Sequence, residues 1–269
     1  MAEETKKPSL KRIIAEINKA ANENVLGFMS QMPNLDIKRL STGVPSLDLA
    51  LGGGIPSGKI VEFFGAPSVG KSLISLLTIA EAQRNGLECI YLDCEDSMDI
   101  NWCKTLGVDT DKLILGQSSM GEDTLELVIK LLKSEPAIIV VDSVASMVSR
   151  AELEEEDIGK SFMALKARLM SKAMRLILNQ NKSTTIIFIN QIRSTLAMYG
   201  PQFTTPGGIA LKFAASVRVE IKKTEELHEE DKKSKPVIGQ VVAFKIVKNK
   251  VSPPFLTGSF KFFFDGRIA

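Results

Sequence analysis

A chain of 269 residues, 44% apolar and 25% charged, is long enough to bury about three quarters of its unfolded surface in one large α/β unit. Thirty-four basic against thirty-two acidic residues leave a net charge of +2, so the global field attracts no polyanion and nucleic-acid binding would need a local patch. Cys89, Cys94 and Cys103 have neither metal-ligand nor C-x-x-C spacing, the start lacks a signal-peptide core and no apolar run spans a bilayer, which argues for free thiols in a reducing cytoplasm. The first predicted element is an amphipathic helix, because Leu10, Ile13, Ile14 and Ile17 recur at helical spacing behind Ser9, a suitable N-cap. Val25, Leu26, Phe28 and Met29 then form a short apolar patch that either packs on the chain's own core or adds to a neighbour's surface, and self-packing is the simpler expectation.

Lys59 to Phe64 is rich in β-formers and runs into Gly65-Ala66-Pro67-Ser68-Val69-Gly70-Lys71-Ser72, which fits the pattern G-x-x-x-x-G-K-[ST]. Its glycines let the backbone close so that successive N–H groups face phosphate oxygens. Lys71 adds a positive charge near the transferred phosphoryl group, and Ser72 is placed to hold magnesium. Leu73, Ile74, Leu76, Leu77 and Ala80 follow on one face of a predicted helix ending near Gly86. Strand, loop and helix in this order predict a P-loop ATPase, with ATP and Mg2+ as ligands.

Cys89 to Leu92, Ala137 to Val141 and Thr184 to Ile189 read as buried strands with helical patterns between them, which predicts a mainly parallel central sheet flanked by helices. Val217 to Ile221, Val241 to Val247 and Phe260 to Phe264 are expected to add strands at one edge. The charged run Lys222 to Lys235, which holds the single histidine, His228, is expected to be a solvated loop. One strand ends in Asp142 and another leads into Asp93-Cys94-Glu95, so carboxylates reach the edge where ligands of open α/β sheets gather. Asp142 is therefore a candidate to face the ion near Ser72, and Glu95 a candidate to polarise an attacking water. Asp93, Asp96 and Asp99 have the plainer alternative of capping the helix around Trp102.

The phosphate loop belongs to a longer series. It runs from Ser41-Thr42-Gly43 and Ser46-Leu47-Asp48 through Leu92-Asp93-Cys94-Glu95, Val140-Val141-Asp142-Ser143 and Phe188-Ile189-Asn190-Gln191-Ile192-Arg193. Gly207-Gly208 with Ala210-Leu211-Lys212-Phe213 and Val247-Lys248-Asn249-Lys250 complete it. Between about Leu40 and Phe264 the series resembles the ATPase core of the bacterial RecA recombinase family and its phage-encoded relatives. That resemblance implies that Glu95 activates water and that Gln191 senses the γ-phosphate and passes its state to a mobile DNA-binding loop. It implies also that Lys248 and Lys250 reach across a subunit interface to the neighbour's triphosphate, and that Trp102 stacks on adenine. Without it, Gln191 is an ordinary strand-end amide, the two lysines are exposed strand residues and Trp102 is a core aromatic.

By the same resemblance two loops meet DNA. The first, around Glu154 to Met163, leads into Arg168, Ser171 and Arg175, whose two arginines lie seven apart and share a helical face. The second, Arg193 to Gly208, contains Tyr199, Thr204, Thr205, Gly207 and Gly208, a mixture suited to phosphates and unstacked bases. Read alone, these residues equally allow surface ion pairs and a plain flexible loop. The chain departs from the family pattern in the acidic group Glu152, Glu154, Glu155, Glu156 and Asp157, in Pro206 where a third threonine is common, and in a second loop one residue short. It also stops at Ala269, which predicts no carboxy-terminal domain. The implied organisation is an N-terminal helix and oligomerisation segment over residues 1–38 and a RecA-like ATPase core with two DNA-binding loops over 39–269. The implied activity is ATP-dependent filament assembly on single-stranded DNA and pairing with homologous duplex DNA in the cytoplasm, with no membrane partner. The alternatives are a ring-forming helicase or motor on the same core and a mediator that does not hydrolyse nucleotide; Glu95 argues against the mediator.

Overall fold

The computed structural model describes residues 9–31, 36–155, 162–194, 203–231 and 234–269, and the chain divides into two units, Met1–Lys38 and Arg39–Ala269. In the first unit, the carbonyl of Ser9 accepts from the N–H groups of Arg12 and Ile13 to start α1 (Leu10–Ala21), although its hydroxyl makes no capping bond. Asn22 ends the helix in the left-handed conformation (φ 54°). Asn18 folds the next segment back, since Nδ2 donates to Leu26 O (2.7 Å) and Oδ1 accepts from Leu26 N (2.9 Å). No residue of α1 is buried, and Val25, Leu26, Phe28 and Met29 are exposed. Within this unit one helix and a turn supply no opposing layer to cover the patch.

The second unit runs β1 (Arg39–Leu40), α2 (Pro45–Leu51), β2 (Ile55–Pro56), β3 (Ile60–Gly65), α3 (Lys71–Arg84), β4 (Cys89–Asp93), α4 (Ile100–Thr105) and β5 (Ile114–Gln117). Then come α5 (Gly121–Leu131), β6 (Ile138–Asp142), α6 (Arg150–Leu153), α7 (Met163–Gln180), β7 (Thr185–Gln191), β8 (Arg193–Ser194), β9 (Phe203–Thr204) and α8 (Ala210–Ala214). The chain closes with β10 (Val217–His228), β11 (Val237–Asn249) and β12 (Thr257–Phe263). Eight of these strands form one sheet in the order β12-β11-β10-β3-β7-β6-β4-β5. From β10 to β5 every neighbouring pair is parallel, and β11 and β12 are added antiparallel at the edge.

Strand residues that are apolar at every position must bury both faces, and the side-chain period of two sorts them. Cys89, Tyr91, Ile138, Val140, Ile187 and Ile189 enter one core cluster with α2 and α3 residues such as Leu47 and Ile74. Ile90, Leu92, Ile139, Val141, Ile186 and Phe188 enter the other, against Leu125 and Val128 of α5 and Met170, Met174 and Ile177 of α7. The result is a three-layer α/β architecture with a mainly parallel sheet.

Two local expectations change. Helix α3 is buried almost all round, from Leu73 through Ile79 and Ala82, rather than on one face; Ser75 and Thr78 fit inside because their hydroxyls donate to Lys71 O and Ile74 O. As expected, β10, β11 and β12 extend the sheet beyond β3 at one edge, β10 parallel to β3 and the later two antiparallel. Lys222 to His228 is strand, paired through Ala243 to Val237 of β11, so the solvated connection shrinks to the hairpin end, where His228 Nδ1 lies 2.8 Å from Lys235 O. A solvent-facing ribbon tolerates the alternating charges that resemble a loop in sequence.

Candidate nucleotide site and nucleic-acid interface

Parallel pairing brings several strand ends to one edge: Gly65 lies opposite Gln191, and Asp93 opposite Asp142. Between β3 and α3 the loop Gly65 to Ser72 turns through Ser68 (φ 58°) and Gly70 (φ 106°), which N-caps the 14-residue α3. Left-handed backbone of this kind turns successive N–H groups toward one concavity, at the positive end of a helix dipole. Gly65 is required for a different reason: a Cβ there would lie 2.1 Å from Ile221 O. Gly65→Ala should therefore cost about 1–3 kcal/mol of stability through a forced backbone shift, measured by thermal unfolding.

Lys71 is buried and its Nζ donates to Ala66 O (2.5 Å), inside the loop. Burial lowers its pKa, against the opposing pull of Asp142 and Glu95. Ser72 Oγ donates to Asp142 Oδ2 (2.5 Å), which also accepts from Tyr91 OH (2.6 Å). Burial raises the Asp142 pKa; the bonds from Ser72 and Tyr91 oppose this and the charges of Glu95 and Asp93 add to it. Ser72 and Asp142 are hard oxygen donors, and among the described residues no cluster of three or more His, Cys, Asp or Glu could hold an ion by itself. Such a pair suits a cation whose remaining ligands are phosphate oxygens and water, the usual arrangement for Mg2+.

Glu95 sits just beyond β4. Its Oε1 accepts from Ser143 Oγ (2.5 Å), Ser146 Oγ (2.7 Å) and Gln191 Nε2 (3.1 Å). Burial pushes its pKa up, but those three bonds and the Lys71 charge outweigh the push, and the carboxyl sits below its ordinary range. The supporting loop is fixed by Asp93, which accepts from the backbone N–H groups of Glu95, Ser97 and Met98. Of the three aspartates expected to cap the next helix only Asp99 does so, accepting from Trp102 N (2.7 Å); Asp96 instead accepts from Gln117 Nε2. Trp102 is half-buried and set edge-on to Phe262, with ring centroids 5.9 Å apart and an interplanar angle of 88°. Tyr91, read from sequence only as strand, and Ser146, which carried no motif, were missed. Their contacts depend on register between residues about fifty positions apart in the chain.

Lys248 and Lys250 lie at the far end of β11. Lys248 Nζ donates to Lys212 O (2.7 Å) and Phe213 O (3.1 Å), and Lys250 Nζ lies 3.5 Å from Phe213 O. Both thus complement the carbonyl end of α8. Burial, then Lys250 and Arg218, lower the Lys248 pKa, against the opposing pull of Glu62.

On α7, Arg168, Ser171 and Arg175 share an exposed face, with Arg175 Nε donating to Ser171 O, while Met170, Ala173 and Met174 face the core. Met163 begins this helix. Arg193, Thr204, Thr205, Gly207 and Gly208 line a cavity of about 240 Å³ with Lys166 and Ala167 of α7, so the two ends of the second loop meet this helix. Thr205 is buried and its hydroxyl has no partner among the described residues. Lys166 escaped sequence reasoning; its Nζ donates to Ala145 O (3.0 Å). Tyr199, Glu156 and Asp157 lie outside the described residues. Glu152 is occupied in a capping box with Ser149 at the start of α6.

A glycine-rich loop joining strand to helix, with a hydroxyl–carboxylate pair at the edge of a mainly parallel sheet, defines a P-loop nucleotide-binding core of the RecA-like type. A family model described as the RecA N-terminal domain matches residues 8–269. The chain is similar to Protein RecA of Rickettsia bellii (strain RML369-C), with 42% identity over 98% of this chain and 77% of that protein. It is similar also to Protein RecA of Rickettsia canadensis (strain McKiel), 40% identical over 100% and 78%, and to Protein RecA of Wolinella succinogenes, 41% identical over 99% and 77%. The chain belongs to the RecA recombinase family.

Proposed function

We propose that the chain is a DNA-dependent ATPase that uses ATP and Mg2+, assembles head to tail on single-stranded DNA and pairs that strand with homologous duplex DNA in the cytoplasm. The observation that carries the reading is the hydrogen bond from Gln191 to Glu95. It joins a carboxylate poised beside the phosphate loop to the strand from which the second loop departs.

In this reading Glu95 Oε1 is held by Ser143, Ser146 and Gln191, while Oε2 has no partner among the described residues and faces the attacking water. The water oxygen forms a bond to the γ-phosphorus as its proton passes to Glu95, and the bond to the β–γ bridging oxygen breaks. Lys71 and the N–H groups of the loop stabilise the charge on the phosphates. Ser72 and Asp142 would hold the ion, which supplies charge neutralisation at the β- and γ-phosphates. Trp102 would present its ring to adenine. Lys248 and Lys250 would reach the triphosphate of the adjoining protomer, and the exposed apolar side chains between Leu10 and Met29 support a role of residues 1–38 as the oligomerisation segment. Met163, Arg168, Ser171, Arg175, Arg193, Tyr199, Thr204, Thr205, Gly207 and Gly208 would form the DNA-binding surface.

The test is ATP hydrolysis measured with and without single-stranded DNA while the complexes are imaged. Stimulated turnover in extended helical filaments is expected; rings that unwind duplex would assign a motor instead, and binding without turnover a mediator. Affinity for single-stranded DNA should fall steeply with salt, with a log–log slope of about −0.7 per phosphate contact. A salt-independent affinity would remove the two loops from the interface.

A further inference from the structure

Between β3, β7 and β10 lies an enclosed polar cluster that the nucleotide and DNA groups do not include. Glu62 and Asn190 are both 0% exposed. Arg218, opposite Glu62 in the strand register, donates through Nε to Glu62 Oε2 and lays its guanidinium over the Phe64 ring at 4.5 Å. Asn190 Nδ2 donates to Glu62 Oε1 (3.1 Å) and to Pro206 O (3.1 Å), and Oδ1 accepts from Gln191 N (3.0 Å). The amide therefore uses both donors and its acceptor, and it is pinned from three directions.

Burying a carboxylate and an amide is costly unless each bond is made, and such a cluster by itself argues only for a uniquely packed core. The destinations of these bonds say more. Pro206 O belongs to the carboxy-terminal stem of the second loop, where Thr204, Thr205, Gly207 and Gly208 line the cavity shared with α7. Gln191 N belongs to the residue whose side chain holds Glu95. We infer that Asn190, oriented by Glu62, is a positioning residue that ties the stem of the second loop to Gln191, so that the nucleotide state reaches the polynucleotide-binding surface through this side chain. The inference rests on the function proposed above. Glu62 is also the carboxylate nearest in effect to Lys212 and Lys248, whose lowered pKa values it opposes, so a change there would disturb several cations at once. Asn190 is the cleaner place to cut.

Asn190→Asp keeps the side-chain size but loses both donated bonds. In the full chain, the ratio of ATP turnover with single-stranded DNA to turnover without it should fall by about tenfold, while DNA-free turnover and nucleotide affinity stay within about twofold of wild type. A variant that unfolds at lower temperature yet keeps the wild-type ratio would show a structural role only and overturn the inference. A wild-type chain with no DNA stimulation would instead overturn the proposed function, and the inference with it. Hydrogen exchange on the wild-type chain keeps the question decidable if the variant does not fold. On adding a non-hydrolysable ATP analogue with Mg2+, the amides of Gln191, Thr205 and Gly207 should slow together, and a stem unchanged while Gln191 responds would overturn the tie.

Discussion

Glu95→Gln is expected to bind nucleotide within about twofold of wild type and to hydrolyse it about 10²–10⁴ times more slowly, the range associated with loss of a general base. The amide is nearly isosteric, and its oxygen still accepts from Ser143 and Ser146, so the loop keeps its shape. What it cannot do is take the proton of the attacking water. Single-turnover hydrolysis alongside equilibrium nucleotide binding separates the two effects, and an unimpaired rate would take Glu95 out of the chemistry. In the wild type the three hydrogen bonds and Lys71 together overcome the upward push of burial, so the base form is already present below the usual carboxylate pKa. Protonation of Glu95 itself should therefore set in only below the ordinary carboxylate range, whereas Asp142, held above its ordinary value by burial, takes up its proton first as the pH falls.

Lys248→Ala should lower DNA-stimulated turnover about 10³-fold or more if Lys248 acts on a neighbour's triphosphate as an arginine finger does. Its bonds to the carbonyls of Lys212 and Phe213 show what else the substitution removes. Loss of a cation at a helix end is worth about 0.3–1 kcal/mol, far short of the kinetic effect. Mixing decides the geometry. Lys248→Ala chains combined with Glu95→Gln chains each lack one half, but a head-to-tail interface pairs an intact Glu95 with an intact Lys248 at about one junction in four. Activity should return to about a quarter of wild type, whereas a site completed within one chain would show none.

Much of the fold could be read from the chain. Cys89 to Leu92 and Ile138 to Val141 are apolar at successive positions, which only a strand covered on both faces requires, and the phosphate loop names its own strand and helix. Less legible was β5, whose Ile114 and Leu115 are exposed at the sheet edge and carry no alternation. The reach of β10 and β11 was hidden for the same reason: solvent on both sides of a ribbon removes the hydrophobic period that marks a strand. At the site, sequence spacing pointed to Lys71, Ser72, Glu95 and Asp142, because each ends or follows a parallel strand, and the family resemblance added Gln191. It could not show Tyr91 beneath Asp142 or Ser146 beside Glu95, since strand order and register bring those pairs together.

The indole of Trp102, the chain's single tryptophan, rests edge-on against Phe262. Its fluorescence consequently reports on one place in the molecule, at the junction of α4 with the outer strand β12. A purine arriving beside that ring would alter its emission, giving a label-free optical signal for occupancy in the unmodified chain.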